Sequence, residues 1–259
     1  MVPLLHTGEG PPVLLLHSGF CTWVEWRRTA ALLDDRREVL APTLAGSLGG
    51  AALDVRGRTM LEALADDAER VLDEAGWDEP VPVVGSSFGG VVAIELANRR
   101  RASRVLALAP PWVAPGVALA YYLGLFSPIF GFRAVEWMYP YTSRSRRLTS
   151  LFFHQSLVPM ELDAADVREL WMSAGRFPLV EVGRRSGRRG PGLPDLAAVS
   201  APVTFVWGSR DLFVPAWMHR RWELALPQAE VETLEGFPHQ PHLRDPQLMA
   251  ERILAHSEP

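Results

Sequence analysis

Apolar positions along the chain fall into two periods, and the elements follow from them. Val13 to Leu16 (VLLL), Val81 to Val84, Arg104 to Ala109 (RVLALA) and Pro202 to Trp207 (PVTFVW) are short, nearly unbroken apolar runs, which predict strands buried on both faces. Val2 to Leu5, Glu38 to Pro42 and Val231 to Leu234 read as further strands, the first set off from VLLL by the turn-rich string His6 to Pro12. Helical spacing takes over between them. Trp26, Ala30 and Leu33 mark one face of a helix over Trp23 to Asp34. Leu61, Leu64, Ala65, Ala68, Val71 and Leu72 mark an amphipathic helix over Thr59 to Ala75, with Glu62, Asp66, Asp67, Glu69 and Arg70 on its water side and Gly76 as its cap. Ala216 to Leu226 is a third helix. Asp245 caps a last one that opens on Pro246 and runs to about His256.

This alternation predicts an α/β protein with a mostly parallel central sheet flanked by helices. It stops from about Pro110 to Pro194, where twelve aromatic side chains from Tyr121 to Phe177 are mixed with Arg, Pro and Gly. The predicted organisation is a core of residues 1–110 and 195–259 with a helical cap, 111–194, inserted between two strands. Such a cap would wall an apolar pocket and exclude water. It holds ten Arg against six acids, and Arg184, Arg185, Arg188 and Arg189 bunch in RRSGRRG. That cluster reads as a solvated loop or as a landing place for an anionic substrate or phosphate-bearing carrier.

Composition narrows the picture. A chain of 259 residues suits one core domain with an insertion, and a net charge of -4 gives no basic field for nucleic acid. All 26 basic residues are Arg, which carries no mechanistic weight. The single cysteine, Cys21, permits neither an internal disulfide nor a cysteine metal cluster, and suits a reducing cytoplasm. The N-terminal residues lack the basic and apolar regions of a signal peptide. The longest apolar stretch, Val117 to Phe132, is broken by Gly124, Pro128 and Gly131 and falls short of the ~20 residues of a membrane span. A soluble cytoplasmic protein is expected.

The chemistry gathers at Val81 to Asn98, a strand, a tight turn and a small-residue helix. The turn reads Gly85-x-Ser87-x-Gly89, a nucleophile elbow that holds a serine on a strained strand-to-helix turn. Ser86 does not fit the frame, because Val84 and Phe88 stand where its glycines would be. Bare Gly-x-Ser-x-Gly strings occur by chance in Gly-rich loops. An apolar strand directly before and a helix directly after supply the context that the motif requires. The helix N-terminus beyond Ser87 also favours an anionic intermediate.

Two later strand ends complete a constellation. Asp211, in Gly208-Ser209-Arg210-Asp211 after PVTFVW, is placed to orient a histidine. His239, in Gly236-Phe237-Pro238-His239-Gln240-Pro241-His242 after the final strand, is placed as a general base. The loop His17-Ser18-Gly19-Phe20 after VLLL can offer a backbone N–H to an oxyanion. With the chain order nucleophile, acid, base, the sequence resembles the α/β-hydrolase fold superfamily over nearly its whole length, most closely its small cap-bearing bacterial serine hydrolases.

The resemblance implies a catalytic triad of Ser87, Asp211 and His239, with His239 preferred to His242. It implies an oxyanion hole from the N–H groups of Gly19 and Phe88, or of Phe20 in place of Gly19 if the loop shifts by one residue. It also implies no metal and no organic cofactor. Relatives commonly carry Gly where Ser18 stands, and a Gly-His-Gly loop where this chain has Gly46-Ser47-Leu48-Gly49. The expected reaction is hydrolysis of a carboxylic ester or thioester of a fairly apolar small molecule. The same triad serves C–C bond hydrolysis, lactone opening and cofactor-free peroxidation, and some proteins of this fold are small-ligand receptors. Dehalogenases and epoxide hydrolases of the fold use an aspartate nucleophile, which Ser87 argues against.

Overall fold

A computed structural model describes residues 4–19, 21–112, 173 and 192–257. The described strands are β1 (Leu4–Thr7), β2 (Pro12–Leu16), β3 (Glu38–Pro42), β4 (Val81–Ser86), β5 (Ala102–Leu108), β6 (Val203–Gly208) and β7 (Glu230–Leu234). They form one sheet in the order β1-β3-β2-β4-β5-β6-β7. β1 is antiparallel to β3, and the other five pairings are parallel. β1 and β2 are joined by the predicted turn but do not pair, because β3 lies between them.

The apolar strands are buried on both faces for a reason visible in their alternation. Leu14 and Leu16 point into one core layer, with Val83, Val105, Phe205 and Trp207. Helices α2 (Met60–Glu74), α3 (Phe88–Asn98) and α4 (Ala216–Ala225) cover that face with Leu61, Leu64, Val91, Ile94, Met218 and Trp222. Val13 and Leu15 point the other way with Val84, Leu106 and Val206. There they meet Trp26, Ala30 and Leu33 and, from the closing helix α6 (Pro246–Ser257), Met249 and Ile253. A short α5 (Pro241–Arg244) precedes α6. Asp245 Oδ1 accepts the Leu248 N–H at 3.0 Å, which is the predicted cap.

Besides β1, which takes in His6 and Thr7 of the expected turn, two elements differ from the sequence reading. The helix expected over Trp23 to Asp34 is a 3₁₀ turn, Trp23–Trp26, followed by one turn of α-helix, α1 (Arg27–Ala30). Trp, Val and Thr lose side-chain freedom in a helix. What holds the segment is burial of Trp26, Ala30 and Leu33, the face the periodicity marked. The acids of α2 do more than face water. Thr59 and Glu62 form a reciprocal capping box. Arg99, just past α3, binds Asp66 at 2.6 Å, Glu69 at 2.7 Å and Glu95 at 2.8 Å and so bolts α2 to α3. Gly76, at φ 74°, closes α2 in a Schellman motif, with Trp77 N–H on Leu72 O at 2.9 Å and Gly76 N–H on Asp73 O at 3.0 Å.

The sheet decides where chemistry can gather. β2, β4, β5, β6 and β7 are parallel, so all five end at the same edge. The loops that follow them carry Gly19, Ser87, Asp211 and His239. The predicted cap, 111–194, lies almost wholly outside the described residues, as do Phe20 and the Arg184 to Arg189 cluster. No helix among the described residues is long and apolar enough to cross a membrane.

Candidate active site

Ser87 occupies the one residue between β4 and α3, with φ 51° and ψ −118°. A non-glycine residue at positive φ is costly and persists only where its surroundings over-determine it. Here they do. The Ser87 N–H donates to Leu108 O on β5 at 2.7 Å, and Ser87 O accepts the Gly90 N–H at 2.9 Å. Both motif glycines are required by space. A Cβ on Gly85 would stand 2.5 Å from Gly90 N, and one on Gly89 would stand 2.5 Å from both Leu16 O and His17 O. Gly89 therefore lets the start of α3 press against the end of β2. Ser86 is fully buried at the strand end, whereas Ser87 is partly exposed, and only Ser87 has the strained backbone.

Asp211 and His239 meet across two neighbouring loops. His239 Nδ1–H donates to Asp211 Oδ2 at 2.7 Å, and both side chains are almost completely buried. Oδ1 of the same carboxylate accepts the N–H groups of Phe213 at 2.7 Å and Val214 at 3.0 Å. Burial raises the Asp211 pKa, but His239 and those two N–H groups outweigh it and hold the carboxyl below its usual range. The acid is ionised, and its geometry fixes the tautomer that leaves His239 Nε2 as the basic nitrogen.

The two loops are sewn together. Ser209 N–H donates to Leu234 O at 3.0 Å, Arg210 N–H to Phe237 O at 2.9 Å, and Gly236 N–H to Ser209 Oγ at 2.8 Å. Gly208 makes room for this approach, since a Cβ there would lie 2.8 Å from the carbonyl carbon of Phe237. His219 closes the far side of the acid loop. Its ring stacks on Trp207 at 3.8 Å, and its Nε2–H donates to Val214 O at 2.8 Å. Burial lowers its pKa.

The loop after β2 is held just as firmly. His17 is buried and its pKa is lowered by burial, which outweighs the Glu25 charge and the Ser18 carbonyl. Its Nε2 accepts the Leu44 N–H at 2.8 Å and its Nδ1–H donates to Ser18 O at 2.7 Å. Gly19 follows, buried, and Phe88 opens α3 beside it in the sheet order, since β2 and β4 pair directly.

Sequence reasoning missed Glu25 and Gln240. Glu25 is 2% exposed, and it accepts the Ser18 N–H and the Ser18 hydroxyl, each at 2.8 Å. Gln240, next to His239, donates from Nε2 to Ser18 Oγ at 2.7 Å and to Glu25 Oε2 at 3.2 Å. His242 stacks on Trp26 at 4.2 Å with its Nε2 3.5 Å from Glu25 Oε1. Burial raises the Glu25 pKa, but His242 and then His17 outweigh it and leave the carboxyl below its usual range. A signal was present in the sequence. An acid between Val24 and Trp26, on a segment whose other residues go inward, is an acid that needs a buried partner.

Comparison with known proteins identifies the family. Residues 13–254 match the model of the Alpha/beta hydrolase family. The chain is 36% identical over 97 residues to a soluble epoxide hydrolase of Corynebacterium sp. (strain C12), a match covering 36% of this chain and 32% of that protein, so it spans about a third of that relative's length. It is 30% identical over 209 residues to epoxide hydrolase EphH of Mycobacterium tuberculosis, covering 75% of this chain and 94% of that one. Among solved structures, a membrane phospholipase A superposes with a TM-score of 0.73 at 20% identity, over 98% of this chain and 81% of its own. The chain is a member of the alpha/beta hydrolase family and a hydrolase of the α/β fold.

Proposed function

We propose that the protein hydrolyses a carboxylic ester or thioester of a fairly apolar small molecule through an acyl-enzyme on Ser87. The observation that carries this reading is the 2.7 Å bond from His239 to the buried Asp211, at the same sheet edge as a serine held at φ 51°. In this mechanism His239 Nε2 takes the Ser87 proton as the oxygen attacks the carbonyl, and Asp211 stabilises the imidazolium that forms. The N–H groups of Gly19 and Phe88 hold the oxyanion. His239 then returns the proton to the leaving alcohol or thiol, and a water repeats the sequence on the acyl-serine. Residues 111–194, inserted between β5 and β6, would be the lid that selects the acyl or alcohol group.

The relatives named as epoxide hydrolases raise an alternative that the nucleophile disfavours. Opening an epoxide with a carboxylate gives an ester, which water can cleave. Opening it with Ser87 would give a dialkyl ether, which a triad and oxyanion hole cannot hydrolyse. A serine at the elbow is therefore suited to acyl transfer.

A fluorophosphonate probe on the wild type and Ser87→Ala, beside p-nitrophenyl esters of increasing chain length, tests the reading. Labelling confined to the wild type, with turnover peaking at one chain length, is the expected result. A wild type that neither labels nor turns over any ester of the series would refute it.

A further inference from the structure

The buried cluster behind the loop after β2 is not needed to build the Ser87, Asp211 and His239 constellation, yet it joins two of its loops. Its centre is Glu25, on the 3₁₀ turn Trp23–Trp26. Oε1 takes the Ser18 N–H, while Oε2 takes the Ser18 hydroxyl and one Gln240 N–H. Gln240 also donates to the Ser18 hydroxyl oxygen, so Ser18, Glu25 and Gln240 close a ring of hydrogen bonds. Ser18 immediately precedes Gly19, and Gln240 immediately follows His239.

These bonds dictate how the Gly19 N–H is aimed. Ser18 O receives His17 Nδ1–H at 2.7 Å and Cys21 N–H at 3.1 Å. A trans peptide is planar, so a carbonyl pinned on one side directs the N–H of the following residue to the other. The preceding peptide is pinned as well, with its N–H spent on Glu25. Ser18 N–H is thus excluded as an oxyanion donor, and Gly19 N–H is the free end of a clamped peptide. Taking a carboxylate out of water is a costly way merely to fasten a loop. Here His242 stands 3.5 Å from Oε1, and the three hydrogen bonds the carboxylate accepts come from Ser18 and Gln240, the residues adjoining the proposed donor and the proposed base.

We propose that Glu25 is a positioning residue that holds the Gly19 oxyanion donor in register with the loop carrying His239, through Ser18 and Gln240. It touches no reacting atom. The hydroxyl of Ser18 is the bridge that makes the coupling possible. The inference rests on the acyl-transfer reading of Ser87.

Glu25→Gln is the direct test. It keeps the shape and an oxygen for the Ser18 N–H, but sets an amide N–H₂ against the Gln240 N–H₂. With p-nitrophenyl esters, kcat per titrated active site is expected to fall about 10–100-fold with KM within about 2-fold, the pattern of a misplaced oxyanion donor. The fluorophosphonate labelling rate should fall in parallel, because that adduct also loads the oxyanion hole. Leu72→Ala, which opens a core cavity near the C-terminal end of α2 in the other core layer, should lower Tm and leave both rates per active site unchanged.

Wild-type kcat and labelling in Glu25→Gln would overturn the proposal, as would a loss confined to KM or to the active fraction. Should Glu25→Gln fail to fold, Ser18→Ala decides. It keeps the peptide N–H and removes only the bridging hydroxyl, so a smaller fall of the same pattern is expected and unchanged rates overturn the coupling. Failure of the acyl-transfer reading is distinguishable, because it would appear in the wild type as absent labelling and turnover before any Glu25 variant is made.

Discussion

Gly89→Ala sets two physical effects of opposite sign against each other. Gly89 is the second residue of α3, where alanine is the better helix former by up to about 1 kcal/mol. Its added methyl would stand 2.5 Å from both Leu16 O and His17 O, whereas ordinary contact begins at 3.4 Å. The two carbonyls belong to the end of β2, which is paired to β4 and cannot yield alone. Relief therefore requires α3 and the β2 loop to part by about 1 Å, at the usual overpacking cost of about 1–3 kcal/mol. The steric term wins, and a net loss of about 1–2 kcal/mol should lower Tm by a few °C. Activity is more exposed than stability. The same parting separates the N–H groups of Phe88 and Gly19, the proposed oxyanion donors, and loss of one such donor costs about 10²–10³ in kcat. The assay is ester turnover per titrated active site, beside thermal melting. A variant with wild-type kcat and a Tm equal or higher would refute the packing account of the elbow.

Two further outcomes follow from titratable groups. His256, half-buried beside Arg104, has its pKa lowered from 6.5 to about 4, by burial first and the Arg104 charge second. The folded state then binds fewer protons than the unfolded chain, so its contribution is full above pH 6.5 and is lost as pH falls towards 4, by about 3 kcal/mol in all. His256→Leu should keep more of its stability than the wild type between pH 6.5 and 4 in urea titrations, and equal losses in the two proteins would contradict this; His17 and His219, also lowered, remain in both. Cys21 is buried, and burial first and the neighbouring Glu25 second push its thiol well up. A disulfide reagent should find no thiol in the native protein at pH 8 and one after unfolding, and rapid native labelling would show that the loop after β2 opens.

The centre of the sheet was legible because β2, β4, β5 and β6 carry nearly unbroken apolar runs, a pattern that a strand covered on both faces satisfies. VLLL needed no partner to be identified, and Leu14 and Leu16 do separate from Val13 and Leu15 into the two core layers. Less legible was the segment after it. The spacing of Trp26, Ala30 and Leu33 marks the buried face correctly, but it does not reveal that only one turn of α-helix forms, because packing rather than propensity holds the segment. The charges of α2 read as solvated for a related reason. Arg99, the partner of Asp66 and Glu69, lies 30 or more positions away just past the next helix, and periodicity within one element is blind to it.

The same division runs through the site. Gly19, Ser87, Asp211 and His239 stand three, one, three and five residues past the ends of β2, β4, β6 and β7. Parallel strands deliver such residues to one edge whatever the order of the sheet, so residue type and distance from a strand end suffice to find them. Glu25 stands nine residues past β2, beyond a turn, and its bond to Gln240 spans 215 positions. Nothing local fixes that pairing. It depends on the loops after β2 and β7 converging, which only the folded chain specifies. What the sequence does show is the need: a carboxylate among residues that go inward must find donors, and a serine in the loop after a doubly buried strand must find an acceptor. Each is the other's solution, and reading the two needs together would have pointed to the bond between them.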